Sequence, residues 1–176
     1  MSKRFLLYFW GFVLMVFSSM EMMAFAGFRV NTSASVPVGL YRITSAPLSV
    51  GSYVLLCPEE REPFITAKKR GYIDAGYCPG GLGYMFKRVA GMQNDKISMD
   101  ATGMHIDGHL YPDSKPLKHD GLNRPLPVWR AKERSLKKDE LILMTQGDTM
   151  SFDSRYFGPV ARQQIVSVVK PVLTWR

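Results

Sequence analysis

The feature that most limits how this chain can fold is an unbroken apolar run over residues 5–17, directly after Lys3 and Arg4. A mostly apolar stretch continues to Gly27, so the whole segment is long enough to cross a bilayer as a helix. Positive charge ahead of such a segment keeps the amino terminus in the cytoplasm. The pattern therefore predicts that the rest of the chain is carried across the membrane.

Ala24-Phe25-Ala26 has the small-x-small form of a cleavage site, so the apolar segment is either a retained anchor or a signal that is removed. We favour an anchor at residues 1–27, because the candidate active serine described below follows it closely. Residues 28–176 then form one domain, which is large enough to bury a core.

The net charge of +8 would attract nucleic acid, an anionic membrane surface or an acidic partner without distinguishing among them. The basic clusters at residues 68–70 and 130–138 are interrupted by acidic residues or lie beside a predicted helix, and no nucleic-acid-binding motif accompanies them. We interpret the charge as a solvated basic face and predict no nucleic-acid partner.

Short runs of alternating β-branched and aromatic residues, separated by turn residues, predict a mainly β domain. The predicted strands are residues 40–43, 52–56, 85–89, 96–99, 141–144 and 165–169. Asp107-Gly108 is a strong two-residue turn signal and predicts a hairpin between residues 104–106 and 109–111. Residues 59–70, followed by Gly71, predict a small helical insertion, and residues 130–138 are a second helix candidate.

The three histidines do not suggest catalysis. His105 and His109 fall on opposite arms of the predicted hairpin, and we assign structural or exposed roles to them and to His119. A Ser-His-Asp triad is therefore not favoured.

Two cysteines, Cys57 and Cys78, would lie in an oxidising compartment after export, where a disulfide is permitted. The alternative is a pair of small buried hydrophobic side chains. Without a C-x-x-C pair or clustered histidines, we predict no metal and no cofactor.

A hydrolase without a usable histidine needs another base, and a lysine serves when an apolar setting lowers its pKa. Lys87 lies in a strand of mainly apolar residues at 83–91, although a strand with one wet edge would also accommodate it. Ser35 lies in a hydroxyl-rich segment with Pro37 and Gly39 close behind, a stiff turn in which N–H groups can converge on an oxyanion. On composition alone, an ordinary linker after a membrane anchor is the better reading of this segment.

Three motifs in order carry a resemblance: S-x-S-x-P-x-G-L-Y at 33–41, F-K-R-V-A-G at 86–91 and S-F-D-S-R-Y-F-G at 151–158. Together they resemble the bacterial type I signal peptidases, and in particular the conjugative-transfer branch of TraF-like peptidases that mature pilin subunits. The resemblance implies a signal-peptidase-like β-fold and a serine endopeptidase that uses a Ser/Lys dyad.

Residue by residue, the resemblance implies Ser35 as nucleophile and Lys87 as general base. It implies the Ser33 side chain and the Ser35 backbone N–H as oxyanion-hole donors. Ser151 matches the serine that orients the lysine, and Asp153 matches an acid whose expected role is to hold Arg155 or neighbouring strands. The chain departs from ordinary signal peptidases in Val36-Pro37 after the nucleophile and in the closeness of residues 147–149 to Ser151.

The resemblance implies an exported precursor, specifically a pilin, as substrate, with the lipid bilayer as the other partner and the protein as a monomer. We expect the domain to lie in the periplasm, attached to the inner membrane, or free in the periplasm if the segment is removed. The first alternative is a non-catalytic, membrane-attached assembly factor of a pilus or transfer channel. A self-cleaving Ser/Lys regulator is a third reading, which the export segment argues against.

Overall fold

The structure is a computed structural model that describes residues 3–145 and 147–175. Its helices are α1 Lys3–Phe25, α2 Phe64–Lys69 and α3 Ser154–Phe157, with 3₁₀ turns at Pro79–Gly81 and Arg162–Gln164. The strands within the described residues are β1 Phe28–Asn31, β2 Gly39–Thr44, β3 Tyr53–Leu56, β4 Ala75–Cys78, β5 Met85–Gly91, β6 Lys96–Met99, β7 Met104–Ile106, β8 His109–Leu110, β9 Ala131–Ser135, β10 Glu140–Met144, β11 Val160–Ala161 and β12 Ile165–Thr174. The predicted mainly β class is confirmed.

Eleven of the twelve described strands, all except β4, form two antiparallel sheets. The larger sheet has seven strands in the order β1-β2-β12-β3-β5-β10-β11, and the smaller has four in the order β8-β7-β6-β9. Strand β5 lies near the middle of the larger sheet, between β3 and β10. This central position buries one face of β5 and places its inward side chains away from water.

Helix α1 has no buried residue, and it alone among the described helices is long and apolar enough to cross a membrane. It is compatible with an anchor or with a signal sequence, since both have this form near the amino terminus. Only Ala26 and Gly27 separate α1 from β1. The helix therefore leads almost directly into the larger sheet.

All six predicted strands are present in the structure; β6 has the predicted bounds, and the other five differ at one end or both. Strand β12 runs five residues beyond the predicted end at Val169 and passes through Pro171. Its pairing with β3 ends at Val169, so the missing N–H of Pro171 interrupts no bond on that side. The hairpin across Asp107-Gly108 is also present, as strands β7 and β8.

The predicted helix at residues 130–138 is wrong, because this segment contains the edge strand β9, which pairs with β6. Its Ala, Lys, Glu and Arg residues have good helix propensity, but pairing with a neighbouring strand outweighs that preference. Charged side chains are also usual on an edge strand, where they discourage pairing with other molecules. Leu136, just after the strand, is buried and anchors this edge to the core.

The predicted helical insertion is real but shorter than residues 59–70. Helix α2 starts after Pro63, which stands at the N-cap position without a side-chain capping bond, and Gly71 follows the helix with a φ of 77°. Pro63 thus precedes the helix and does not occupy its first turn. A disulfide joins Cys57 to Cys78 and closes the segment that contains α2 and β4.

Candidate active site

The loop between β1 and β2 carries Ser35, and a single buried amide holds this loop in shape. The two N–H groups of Asn31 Nδ2 are shared among three backbone carbonyl oxygens, those of Ser33 at 2.8 Å, Val36 at 3.0 Å and Pro37 at 3.2 Å. Its Oδ1 accepts from the Ser33 backbone N–H at 3.1 Å and from Ser33 Oγ at 2.9 Å. Asn31 therefore fixes the chain on both sides of the candidate nucleophile, a role that the sequence did not suggest.

Lys87 lies on the buried face of β5, on the same side as Met85 and Val89, because side chains alternate along a strand. Its side chain is 1% exposed. The Nζ atom lies 2.9 Å from Ser35 Oγ and 2.6 Å from Ser151 Oγ. Lysine, nucleophile candidate and supporting serine are thus brought together from three distant parts of the chain.

Ser151 completes a small hydrogen-bonded cluster around the amine. Its Oγ lies 2.9 Å from Ser35 Oγ and accepts a hydrogen bond from Thr145 Oγ1 at 2.8 Å. Thr145 is buried directly after the end of β10 at Met144 and was not among the residues suggested by the sequence. This hydrogen bond from Thr145 fixes the orientation of the Ser151 hydroxyl that meets Lys87.

Burial lowers the pKa of Lys87 from its usual 10.5 to about 8. The Asp153 carboxylate opposes this shift, and the Arg155 guanidinium adds to it. With a pKa of 8, about one lysine in ten is neutral at pH 7, far more than for an exposed lysine. A neutral amine at hydrogen-bond distance from a hydroxyl is able to accept its proton.

Asp153 and Arg155 form a fully buried ion pair next to the cluster of Lys87, Ser151 and Thr145. Arg155 Nε lies 2.8 Å from Asp153 Oδ1, and Arg155 Nη2 lies 2.9 Å from Asp153 Oδ2. Arg155 also donates to the carbonyl of Ser151 at 2.9 Å, while Asp153 accepts from the Thr145 backbone N–H at 3.2 Å. The pair therefore holds the two residues that orient Lys87.

Ser33 is exposed, and its hydroxyl donates to Asn31 in this structure. To act as an oxyanion-hole donor the hydroxyl would have to rotate away from Asn31. The predicted role of Ser33 thus depends on a change of rotamer when substrate binds, and it stays a prediction.

Two cavities meet at Ser35. The first, here the Lys87 pocket, has a volume of about 170 Å³ and is lined by Asn31, Tyr84, Met85, Phe86 and Lys87 among others. The second, here the Met150 pocket, has a volume of about 300 Å³ and is lined by Leu117, Leu122, Leu126, Asp148, Met150 and Tyr156 among others. Ser33, Ser35, Tyr72 and Phe152 line both.

The histidines lie outside both cavities. His105 Nε2 lies 3.0 Å from Thr102 Oγ1 in the smaller sheet, while His109 and His119 are exposed. The base nearest to Ser35 in this arrangement is the lysine.

Comparison with known proteins gives a consistent set of relatives. A family model described as signal peptidase, peptidase S26, matches residues 3–175. Two Escherichia coli proteins named plasmid transfer protein TraF are 48% and 46% identical over 150 residues, which is 85% of this chain and 84% and 85% of theirs. A conjugal transfer protein TraF from Agrobacterium fabrum is 30% identical over 178 residues, or 99% of each chain.

Among solved structures, the crystal structure of a signal peptidase I from Enterococcus faecalis V583 is similar, at 15% sequence identity and a TM-score of 0.42. The match covers 72% of this chain and 100% of that chain.

Proposed function

Since the chain belongs to the signal peptidase family, peptidase S26, we propose that it is a serine endopeptidase with Ser35 as nucleophile and Lys87 as general base. The observation that carries this proposal is the buried amine of Lys87, 2.9 Å from Ser35 Oγ. The family supports a serine peptidase, and the geometry supports these two residues as its dyad.

In the proposed reaction, neutral Lys87 takes the proton of Ser35 as Oγ bonds to the scissile carbonyl carbon. The carbonyl oxygen becomes an oxyanion, which the Ser35 N–H and a rotated Ser33 hydroxyl stabilise. When the carbon–nitrogen bond breaks, Lys87 returns the proton to the leaving amine and an ester on Ser35 remains. Lys87 then takes a proton from water as the water oxygen bonds to the acyl carbon. The bond to Oγ breaks, the acyl product leaves, and Lys87 returns the proton to Ser35 Oγ.

Ser151, Thr145 and the Asp153–Arg155 pair support this chemistry without taking part in the proton transfer. Ser151 and Thr145 fix the direction of the Lys87 amine through the hydrogen bonds described above. A lysine side chain has several rotatable bonds, so removing its freedom in advance lowers the entropic cost of the reaction.

We further propose that α1 holds the protein in the inner membrane and that residues 28–176 form the catalytic domain in the periplasm. The Gly27 carbonyl accepts a hydrogen bond from the Ile43 N–H at 2.9 Å, which ties the end of the apolar segment to β2. Ser35 follows Gly27 by eight residues. The nucleophile would then face exported precursors close to the outer surface of the membrane.

The proposed substrate is an exported precursor protein, specifically a pilin. The relatives are named as plasmid transfer and conjugal transfer proteins, which supports a role in conjugation. A small, exported precursor that itself carries an apolar segment would meet the enzyme at the same membrane surface. The protein would act as a monomer, since one chain supplies every group of the proposed mechanism.

The test is processing of a co-expressed pilin precursor by wild type, Ser35→Ala and Lys87→Ala, read from precursor and mature bands. Ser135→Ala and Lys132→Ala are matched controls, because both side chains are exposed on β9. The proposal predicts precursor accumulation in the first two variants and normal processing in the controls. Normal processing by a folded Ser35→Ala protein would instead favour a non-catalytic assembly factor.

A further inference from the structure

The Met150 pocket is larger and more apolar than the mechanism requires. Its rim includes Leu122 and Met150, whose side chains are 74% and 65% exposed. Such side chains gain free energy when another apolar group covers them. The pocket reaches Ser35 itself, so whatever fills it lies against the reacting bond.

One wall of this pocket is preformed. In the loop at residues 120–124, the Asp120 carboxylate accepts hydrogen bonds from the Tyr72 hydroxyl, from Arg124 Nε at 2.6 Å and from the Leu122 N–H at 2.9 Å. The Arg124 guanidinium also lies 5.6 Å from the centre of the Tyr72 ring. The loop that presents Leu122 is thus held in place before a ligand arrives, which reduces the entropic cost of binding.

The position of Ser35 between the two cavities determines how an extended peptide would occupy them. Successive side chains of an extended chain point to opposite sides. A peptide bond placed at Ser35 Oγ therefore directs the residue before it and the residue after it in opposite directions. The Lys87 pocket and the Met150 pocket, which share Ser35, are placed to receive one each.

We propose that the Met150 pocket is a specificity subsite that binds a large apolar side chain of the substrate, across the scissile bond from the residue held in the Lys87 pocket. This inference rests on the proposed peptidase function. The volumes of about 300 and 170 Å³ assign the larger side chain to the Met150 pocket and the smaller to the Lys87 pocket.

The test uses the full-length protein in detergent and internally quenched peptides with leucine or alanine next to the scissile bond. Every peptide is built around an Ala-Ser-Ala sequence. One series varies the residue after the scissile bond, and the other varies the residue before it. In one of the two series, wild type should prefer leucine to alanine by at least about tenfold in kcat/KM. Met150→Ala and Leu122→Ala should each reduce that ratio by at least about threefold.

Leu110→Ala is the matched control, since Leu110 is also exposed but lies on β8, outside both cavities. It should keep the wild-type ratio. A wild type that discriminates against leucine in both series, or variants that keep its leucine preference, would overturn the inference. The inference would also be overturned if Met150→Ala and Leu122→Ala reduced binding to phosphatidylglycerol vesicles in a flotation assay but kept the leucine-to-alanine ratio. That result would assign this surface to lipid.

The subsite and the peptidase function are separable. If wild type cleaves no peptide, the peptidase proposal fails, and fluorescence polarisation of the same peptides with Ser35→Ala protein decides the subsite. Leucine peptides that bind at least about tenfold more tightly than alanine peptides, with the preference reduced by adding Met150→Ala, would keep the binding site. Equal binding of both peptides would refute it.

Discussion

Replacing Lys87 with methionine should make the protein more stable at neutral pH while abolishing its activity. Burial lowers the pKa of Lys87 from 10.5 to about 8, a shift of about 2.5 units. At about 1.4 kcal/mol per unit, the folded state carries a penalty of about 3 kcal/mol when the lysine is charged. Methionine has a similar length and no charge, so Lys87→Met removes that penalty.

The pH dependence of this effect has a definite sign. Between pH 8 and 10.5 the unfolded chain binds more protons at this lysine than the folded chain does. Wild-type stability must therefore rise with pH through this window, relative to Lys87→Met. The stability advantage of the variant should be about 3 kcal/mol at pH 7 and should vanish by about pH 10.5.

The assay is urea unfolding in detergent, with wild type and variant measured in parallel from pH 7 to 10.5. Taking the difference between the two proteins removes the contributions of other titrating groups that both share. A difference in unfolding free energy that stays constant over this range would refute the lowered pKa, and with it the physical basis for Lys87 as a base.

Three further predictions concern the supporting structure. Asn31→Ala should reduce the free energy of unfolding in urea by about 2 kcal/mol or more and kcat by at least about tenfold, because it leaves several buried loop groups without partners; unchanged values for both would contradict the role given to Asn31. Thr145→Val should lower kcat about tenfold with little change in KM, because it removes the hydrogen bond to Ser151 and Thr145 lines neither substrate pocket. A rise in KM alone would argue against this role. Replacing Cys57 and Cys78 together with alanine should cost about 3 kcal/mol of stability while the pH profile of kcat/KM keeps its inflection near pH 8, and a displaced inflection would tie the disulfide to the dyad.

The fold could be predicted in part because strand patterns are local. The continuous apolar run of residues 141–144 in β10 and the Asp107-Gly108 turn identify elements without reference to their partners. The edge strand β9 has no such signal: its charged residues favour a helix, and only pairing with β6 makes it a strand. That pairing is a long-range contact, which a local pattern does not contain.

The candidate site could also be predicted only in part. Motifs singled out Ser35, Lys87 and Ser151, and the structure brings their functional atoms within 2.9 Å of one another. Asn31 and Thr145 were missed, since each acts through side-chain hydrogen bonds that depend on the folded positions of loops. A polar residue in a sequence gives no sign of which backbone groups it will satisfy.

The most direct test of the central claim is to trap the covalent intermediate. The full-length protein would be mixed with a peptide that it cleaves, and the reaction would be quenched in acid within the first turnover. Mass spectrometry would then map the modified residue. We predict an acyl group on Ser35 in wild type and none in Ser35→Ala or Lys87→Ala. An acyl group on Ser151 or another residue, or turnover by Ser35→Ala, would contradict the account.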